Sequence, residues 1–316
     1  MEEDNYVMDK IPISIALALG GGGVRGLAHI GVLRSLAKDI PINMIVGTSM
    51  GALVGAQYAL EPDIDKIEER LLQILDRKEI KEIENLIGAH DVVEEKKLII
   101  QGLLSFVKKI YLLNLRAIRR WIFSGREIAW IFNNLGLDVD FKKVKIPFCC
   151  LAIDLRTGDE IILDKGNIKE AVLASVSLPG VFPPVKKANW LLVDGGVVSS
   201  VPVDAARQMG ADLVIAVGVE AGIDYNKKLG NGLDIMFQAD AIRTYKLSEL
   251  KLNTADIAIR PAVGHISWAS FSRALECIKA GEKAADKIKP QIIELIKKKK
   301  REKFWKGFFS LPKYDK

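Results

Sequence analysis

The chain is short of the residues that bind metals and redox cofactors. Its 316 residues include three cysteines and three histidines. Cys149 and Cys150 are adjacent and Cys277 is distant, so the cysteines lack the spacing of a metal site. An odd number of thiols cannot all pair within the chain. We therefore expect buried, reduced thiols and no metal centre built from these residues.

Long hydrophobic runs and a signal peptide are also missing. No apolar stretch approaches the ~18 residues that a membrane-spanning helix needs. The amino terminus, Met-Glu-Glu-Asp-Asn at 1–5, is acidic where a signal peptide is basic. These absences lead us to expect a cytoplasmic protein, with peripheral contact at the inner face of the membrane left open.

Excess positive charge is absent from most of the chain. The formal net charge is +6, yet residues 297–316 contain nine Lys or Arg residues against Glu302 and Asp315, which gives that segment +7 and the remainder −1. A neutral body argues against a nucleic-acid-binding face spread over the fold. The basic segment instead indicates a local electrostatic contact.

The first sixty residues show two strand–turn–helix units. An apolar run at 11–19 ends in four glycines and is followed by helical spacing at 27–36. A second apolar run at 42–46 also ends in a glycine and is followed by a small-residue helix at 52–60. Two such units in succession predict an α/β fold, with a central, mostly parallel sheet flanked by helices.

The rest of the chain predicts one domain over 11–290 with an interruption. Charged helical sequence at 61–145 indicates a helical insertion after the second helix. Strand and helix patterns then return, at 148–153, 171–177, 191–193, 213–219 and 275–297. Residues 291–316 form the basic, aromatic carboxyl-terminal tail.

A serine stands at the second strand-to-helix turn. The pentapeptide at 47–51 is Gly-Thr-Ser-Met-Gly, which places Ser49 in the context of a nucleophile elbow. The flanking glycines allow a sharp turn. A serine at a helix amino terminus also lies where a developing oxyanion is stabilised.

The glycine-rich segment at 20–26 allows two interpretations. Consecutive glycine amides between a strand and a helix can bind an oxyanion. Gly21, Gly23 and Gly26 also satisfy the dinucleotide pattern G-x-G-x-x-G, which calls for an acidic residue near the end of the second strand. No acid occurs between Ile40 and Gly51. Nucleotide binding therefore stays as the weaker alternative.

A third candidate is the acid at 194. Asp194 follows an apolar run and precedes two glycines, and burial would raise its pKa enough for it to accept a serine proton. A Ser-His-Asp triad needs a histidine that reaches the serine. The chain offers only His29, His90 and His265, and none stands where an α/β-hydrolase places its histidine near the chain end, although His265 in a late loop stays an alternative. A Ser–Asp dyad is the better hypothesis.

The three blocks together resemble a known family. Gly-Gly-Gly-Val-Arg-Gly at 21–26, Gly-Thr-Ser-Met-Gly at 47–51 and Asp-Gly-Gly at 194–196 resemble, in order, the signature blocks of patatin-like phospholipases, most closely the short bacterial members. The resemblance spans roughly residues 13–220, and it includes further segments at 26–33, 154–158 and 174–184.

This resemblance implies hydrolysis of lipid acyl esters by a Ser49–Asp194 dyad through an acyl-enzyme, without metal or cofactor. It implies an oxyanion hole from the amides of Gly21, Gly22 and Gly23.

The same resemblance implies supporting roles for the neighbours of these residues. The amide of Met50 is expected to help the oxyanion hole. Arg25 matches a basic position of the glycine-rich block, and we assign it to loop structure or anion contact. The remaining motif glycines are Gly26, Gly47, Gly51, Gly195 and Gly196. Two departures, the serines at 199–200 and the long insertion, leave the substrate open.

Two segments predict contact with a lipid surface. Residues 98–123, taken as one helix, place five cations on one side and apolar residues on the other, which is typical of an interfacial helix or lid and also of an ordinary surface helix. The tail carries a basic run at 297–301 and four aromatics at 304–309, a combination that favours anionic membranes.

Other functions remain open from the sequence alone. An acyltransferase would use the same residues and pass the acyl group to an alcohol. A membrane-associated adaptor or regulatory protein could retain the fold without catalysis, although the intact motifs argue against it.

Overall fold

The computed structural model describes residues 11–78, 80–81, 84, 132–223, 230 and 232–309. Within these residues eight strands form one sheet with the order β5-β6-β3-β2-β1-β7-β8, and β4 pairs separately with β3. The strands are β1 (Ile15–Leu19), β2 (Met44–Thr48), β3 (Phe148–Asp154), β4 (Glu160–Leu163), β5 (Val185–Lys187), β6 (Trp190–Asp194), β7 (Leu213–Val217) and β8 (Ile257–Ile259).

Helices cover both faces of the sheet. The α-helices of the described part are α1 (Ala28–Leu36), α2 (Met50–Leu60), α3 (Ile64–Leu75), α4 (Ile168–Ser175), α5 (Val203–Gln208), α6 (Gly232–Leu252) and α7 (Ala274–Phe309). Short 3₁₀ helices occur at Gly23–Leu27, Phe141–Lys143, Gly195–Val197 and Phe271–Arg273.

The sheet divides the core into two apolar layers. In β1, Ile15, Leu17 and Leu19 belong to one layer, and Ala16 and Ala18 to the other. The first layer packs against α1, α2, α3, α4 and α7, whereas the second packs against α5 and the end of α6. Because both faces are covered, the parallel strands are continuously apolar. That pattern explains why the early strands were recognisable from sequence.

The junction of β2 and β6 is the part of the sheet that matters for function. β2 is parallel to β3, and its last residue Thr48 is paired with Leu151. β6 is antiparallel to β3, and its last residue Asp194 is paired with Ala152. β4 pairs with the other edge of β3. β2 and β6 therefore lie one after the other along the same edge of β3. Their carboxyl ends therefore meet.

Helix α7 is pressed against α1, the helix that follows the glycine-rich segment. A Cβ atom added at Gly31 would lie 1.9 Å from the carbonyl oxygen of Ile278, and one at Gly281 would lie 1.9 Å from that of Ala28. Neither position has room for a side chain. The two glycines thus allow the backbones of the two helices to touch.

The α/β class predicted from the sequence, with a mostly parallel sheet flanked by helices, is confirmed. The proposed helix at 98–123 and His90 lie outside the described residues. The limit drawn at residue 291 does not coincide with the end of an element, because α7 continues to Phe309. Among the described helices, none is both long enough and apolar enough to span a membrane.

Candidate active site

Ser49 occupies a sharp turn between β2 and α2. Its backbone torsions are φ 54° and ψ −121°, in the left-handed half of conformational space that side chains rarely adopt. A Cβ at Gly47 would lie 2.4 Å from Cα of Ala52, and one at Gly51 would lie 2.2 Å from the carbonyl oxygen of Leu19. The flanking glycines are therefore required by close backbone approach.

Asp194 lies at the end of β6 with its carboxylate buried (4% exposed). Burial raises its pKa to about 6, although hydrogen bonds from the Ser49 hydroxyl and the Gly196 amide oppose this shift. The Gly196 amide donates to Oδ1 at 2.7 Å. The structure thus brings Ser49 and Asp194 into direct contact, with the carboxylate in an environment that favours accepting a proton.

The glycine-rich segment lies beside the serine. A Cβ at Gly21 would be 3.1 Å from Cβ of Ser49, and a Cβ at Gly26 would be 2.5 Å from Cβ of Met50. A side chain at Gly26 would clash with Met50 and one at Gly21 would be tight against Ser49, because the loop and the turn at Ser49 are in contact. The glycines allow the loop and the turn at Ser49 to approach each other closely, and they also provide amide groups.

The amide of Gly21 is not available to an oxyanion, which corrects one part of the expected oxyanion hole. It donates to the carbonyl oxygen of Ser200 at 2.9 Å and so holds the loop to the segment after Asp194. The amides of Gly22, Gly23 and Met50 have no hydrogen-bond partner within the described part of the chain. These three amides remain candidates for the oxyanion hole.

Gly23 has a backbone requirement of its own. It adopts φ 60°, and a Cβ there would lie 2.4 Å from the carbonyl oxygen of Trp268. The next amide, that of Val24, donates to the same oxygen at 2.8 Å. The loop is thereby tied to the segment before α7, which positions the amides ahead of the 3₁₀ helix.

The contacts of Arg25 indicate a structural role and not proton transfer. Its Nη1 donates to the carbonyl oxygen of Ile266 at 3.2 Å. Burial lowers its pKa, while the nearby charge of Glu220 opposes that shift. These contacts connect the glycine-rich loop to neighbouring segments, in line with a role in loop structure.

Neither histidine of the described chain contacts the dyad. His29 is fully buried, its Nε2 lies 2.7 Å from the carbonyl oxygen of Gly20, and burial lowers its pKa to about 4. His265 is exposed and lies 3.1 Å from Glu276. Within the described residues, no group of three or more His, Cys, Asp or Glu residues could hold a metal ion.

Two contacts of the site were not anticipated. The amide of Ser49 donates to Oγ of Ser175 at 3.0 Å, and the amide of Asp194 donates to the carbonyl oxygen of Ser177 at 3.0 Å. Both serines lie at the end of α4, in a segment that the family resemblance included without assigning a role. Composition alone gives no signal for them.

The basic tail lies at the other end of the sheet. Lys299 Nζ is 3.0 Å from Asp256, and Lys303 Nζ is 2.8 Å from Asp212. These acids directly precede β8 and β7, so they mark the amino ends of the parallel strands, whereas Ser49 follows a carboxyl end. Part of the tail's charge is thus paired within the domain, far from the dyad.

Comparison with known proteins gives a consistent result. The model of the family described as patatin-like phospholipase matches residues 17–207. The chain is 34% identical over 209 residues to patatin-like phospholipase domain-containing protein 7 of Rattus norvegicus, covering 65% of this chain and 14% of that protein. It is 31% identical over 209 residues to neuropathy target esterase sws of Drosophila melanogaster, covering 65% and 13%. The chain therefore spans about one seventh of these relatives.

Among solved structures, VipD from Legionella pneumophila is similar, with a TM-score of 0.47 at 14% sequence identity. The match covers 88% of this chain and 66% of that one.

Proposed function

This chain belongs to the patatin-like phospholipase family, and from that premise we propose that it is a serine hydrolase of lipid acyl esters. One observation carries the proposal. Ser49, held on a turn at φ 54°, lies next to the buried carboxylate of Asp194, and its hydroxyl is close enough to lower a pKa that burial raises to about 6. A serine and a proton acceptor in contact are what nucleophilic acyl transfer requires.

The proposed reaction has two halves. Ser49 Oγ attacks the ester carbonyl carbon while Asp194 takes the hydroxyl proton, and the tetrahedral intermediate then expels the alcohol, which receives that proton. Water attacks the resulting acyl-enzyme with Asp194 again as base, which releases the fatty acid and restores Ser49. No residue beyond the dyad has to transfer a proton.

The oxyanion is assigned to backbone amides. The amides of Gly22 and Gly23 lie on the loop next to Ser49, and that of Met50 begins α2. The positive end of α2 adds to their effect. Loss of one such donor typically lowers kcat by roughly 10²–10³-fold. The Gly21 amide is excluded because Ser200 holds it.

The test is covalent labelling of the purified protein with a fluorophosphonate, in the presence of detergent micelles that present a lipid-like surface. We expect one adduct, mapped to the peptide that contains Ser49, and none in Ser49→Ala. Circular dichroism establishes that the variant is folded. A folded wild-type protein that acquires no adduct and cleaves no lysophospholipid would refute the proposal and favour the adaptor alternative.

The same two residues would also allow acyl transfer in the second half-reaction. Hydrolysis and transfer share the acyl-enzyme and differ only in whether water or an alcohol attacks it. Product analysis with a radiolabelled phospholipid, with and without an added alcohol acceptor, separates them. We expect free fatty acid as the main product in both conditions.

Nucleotide binding at the glycine-rich loop has less support. Gly21 abuts Ser49 and its amide is occupied, so the loop differs from an open phosphate cradle. We expect no shift in Tm with millimolar nucleotides.

The membrane contact of the tail belongs to the same proposal. Trp305 is 51% exposed and follows the basic run, in keeping with insertion at a lipid interface. We expect the protein to float with vesicles rich in anionic lipid. In the cell, we expect the tail to contact the inner face of the membrane. The substitutions Lys298→Glu with Arg301→Glu and Trp305→Ser should each weaken flotation. Unchanged flotation of both would remove the tail from the proposal.

A further inference from the structure

A serine on a distant helix holds the backbone of Ser49. Ser175, the last residue of α4, is fully buried, and its Oγ accepts a hydrogen bond from the Ser49 amide at 3.0 Å. The two residues are 126 positions apart in sequence. The contact is therefore a product of the tertiary fold and ties α4 to the turn between β2 and α2.

The turn at Ser49 needs such a contact. A non-glycine residue at φ 54° is strained, and strain of this kind persists only where the surroundings enforce it. Gly47 and Gly51 leave room for the turn, but a glycine does not enforce the backbone conformation of Ser49. As the residue before the first turn of α2, Ser49 has no intrahelical acceptor for its amide. Ser175 supplies that acceptor.

The same end of α4 also holds the acid. The carbonyl oxygen of Ser177 accepts a hydrogen bond from the Asp194 amide at 3.0 Å. The Ser177 hydroxyl donates to the carbonyl oxygen of Leu173 at 2.7 Å, which closes the last turn of the helix. One short segment thus contacts the backbones of both members of the dyad. Only one of these contacts uses a side chain.

We propose that Ser175 is a positioning residue for acyl transfer: its hydroxyl fixes the Ser49 amide, and with it the direction of Ser49 Oγ towards Asp194 and the substrate. This inference rests on the proposed function. Ser175 itself contacts neither substrate nor the transferred proton. Because small misplacement of a nucleophile strongly lowers rate, a single acceptor oxygen can have a large kinetic effect.

The kinetic expectation for Ser175→Ala is a split between kcat and KM. We expect kcat, and the rate of fluorophosphonate labelling at Ser49, to fall by roughly 10–100-fold. KM should stay within about 3-fold, because the substrate-binding surfaces are intact. The midpoint of the acid limb of the pH profile should stay at the pKa of Asp194, since within the described residues the Ser175 hydroxyl hydrogen-bonds to the Ser49 amide and not to the carboxylate.

Two further variants separate positioning from general weakening of α4. Asn167 caps the opposite end of the same helix, where its Oδ1 accepts from the Glu170 amide at 3.2 Å. Asn167→Ala should lower Tm but leave kcat within about 2-fold of wild type. Ser175→Thr keeps the acceptor oxygen and should recover most of the lost rate. Equal loss of rate in Ser175→Ala and Asn167→Ala, or no recovery in Ser175→Thr, would overturn the assignment.

A measurement on the amide itself does not depend on catalysis. In uniformly ¹⁵N-labelled protein, hydrogen exchange at the Ser49 amide should be at least about 10-fold faster in Ser175→Ala than in wild type. The Asp194 amide, bonded to a main-chain oxygen, should change far less. Unchanged Ser49 exchange would overturn the inference even in an active enzyme. Faster exchange in a protein that neither labels nor hydrolyses would leave the positioning contact intact and refute the proposed function instead.

Discussion

Two neighbouring strand ends carry buried aspartates with opposite properties. Asp154 ends β3 and Asp194 ends β6, and the two residues are 2% and 4% exposed. The pKa of Asp154 is lowered, whereas that of Asp194 is raised to about 6. Burial is the largest influence on the pKa of Asp194, whereas for Asp154 the hydrogen bond from the Leu191 amide outweighs burial.

The donors that surround each carboxylate are one part of the difference between the two pKa values. Asp154 accepts from the Leu191 amide at 2.9 Å and from the amide of Arg156 and the hydroxyl of Thr157, each at 3.4 Å. The charge of Arg156 lowers its pKa further. Asp194 accepts from one amide and from Ser49. A buried strand-end carboxylate with few donors keeps proton affinity, and one with several donors becomes a fixed structural anion.

The largest expected effect separates the two acids by activity. Asp194→Asn and Ser49→Ala should each lower kcat/KM by roughly 10³–10⁶-fold, because each removes half of the proposed dyad. Asp154→Asn should stay within about 3-fold, because the carboxylate of Asp154 holds a turn. Esterase assays on the three variants measure this. Comparable losses at positions 154 and 194 would contradict the division of roles.

The second prediction concerns pH. Asp194 must be ionised to accept a proton, so kcat/KM should be half-maximal near the pKa of about 6 and fall about tenfold per pH unit below it. A profile measured between pH 4.5 and 8 at constant ionic strength tests this. A flat profile down to pH 5 would exclude Asp194 as the base.

The third prediction concerns the free energy of unfolding. The folded pKa of Asp194 is about 6 and its ordinary value is 3.8, so folding favours the protonated form, and this acid lowers stability progressively as pH rises from 3.8 to 6. Asp194→Asn removes the charge and should stabilise the protein at pH 7.5 by up to about 3 kcal/mol. Denaturant unfolding at pH 7.5 and at pH 4 should show that gain shrinking at the lower pH. A variant less stable than wild type at both values would contradict it.

Asp154 should behave in the opposite way. Its folded pKa lies below the ordinary 3.8, so it contributes stability above that pH and loses it as pH falls further. Asp154→Asn should therefore lower Tm at pH 7.5, and the difference from wild type should narrow under strongly acidic conditions. Thermal unfolding at both pH values measures this, with Asp194→Asn as the variant of opposite sign.

The smallest effect comes from removing one donor. Thr157→Val deletes a hydroxyl at 3.4 Å from Asp154 and should raise the pKa of that carboxyl slightly, with a fall in Tm of a few degrees or less. NMR titration of the Asp154 side chain follows the shift. A pKa that moves downward would show that the hydroxyl does not stabilise the anion.

Much of the site could be predicted because its parts are local. The elbow around Ser49 and the loop at 20–26 are each encoded by contiguous glycines whose conformations few other residues adopt. The early strands were recognisable because both faces are apolar. Helices α5 and α6 were missed, and so were the strands β4, β5 and β8, each of which has only three or four residues and is partly exposed. Short, half-buried strands have too few residues to show a period.

The distribution of roles among the glycine amides could not be predicted. Gly21 and Gly22 are equivalent in the sequence, but the carbonyl oxygen of Ser200 occupies one amide and leaves the other available. Ser175 is likewise one serine among many until α4 packs against the turn. Each of these assignments depends on an acceptor more than a hundred residues away. Hydrogen-bond partners at that separation are set by packing.

The sequence by itself determined the α/β class, the position of the turn that carries the candidate nucleophile, and the family, because glycine spacing and apolar runs act over a few residues. Only the tertiary structure decided that Ser49 meets Asp194 and that Asp194, rather than Asp154, keeps its proton affinity. The physical reason is the register of one strand: Leu151 and Ala152 of β3 pair with the ends of β2 and β6, which places serine and acid in contact in a site where few donors reach the carboxylate.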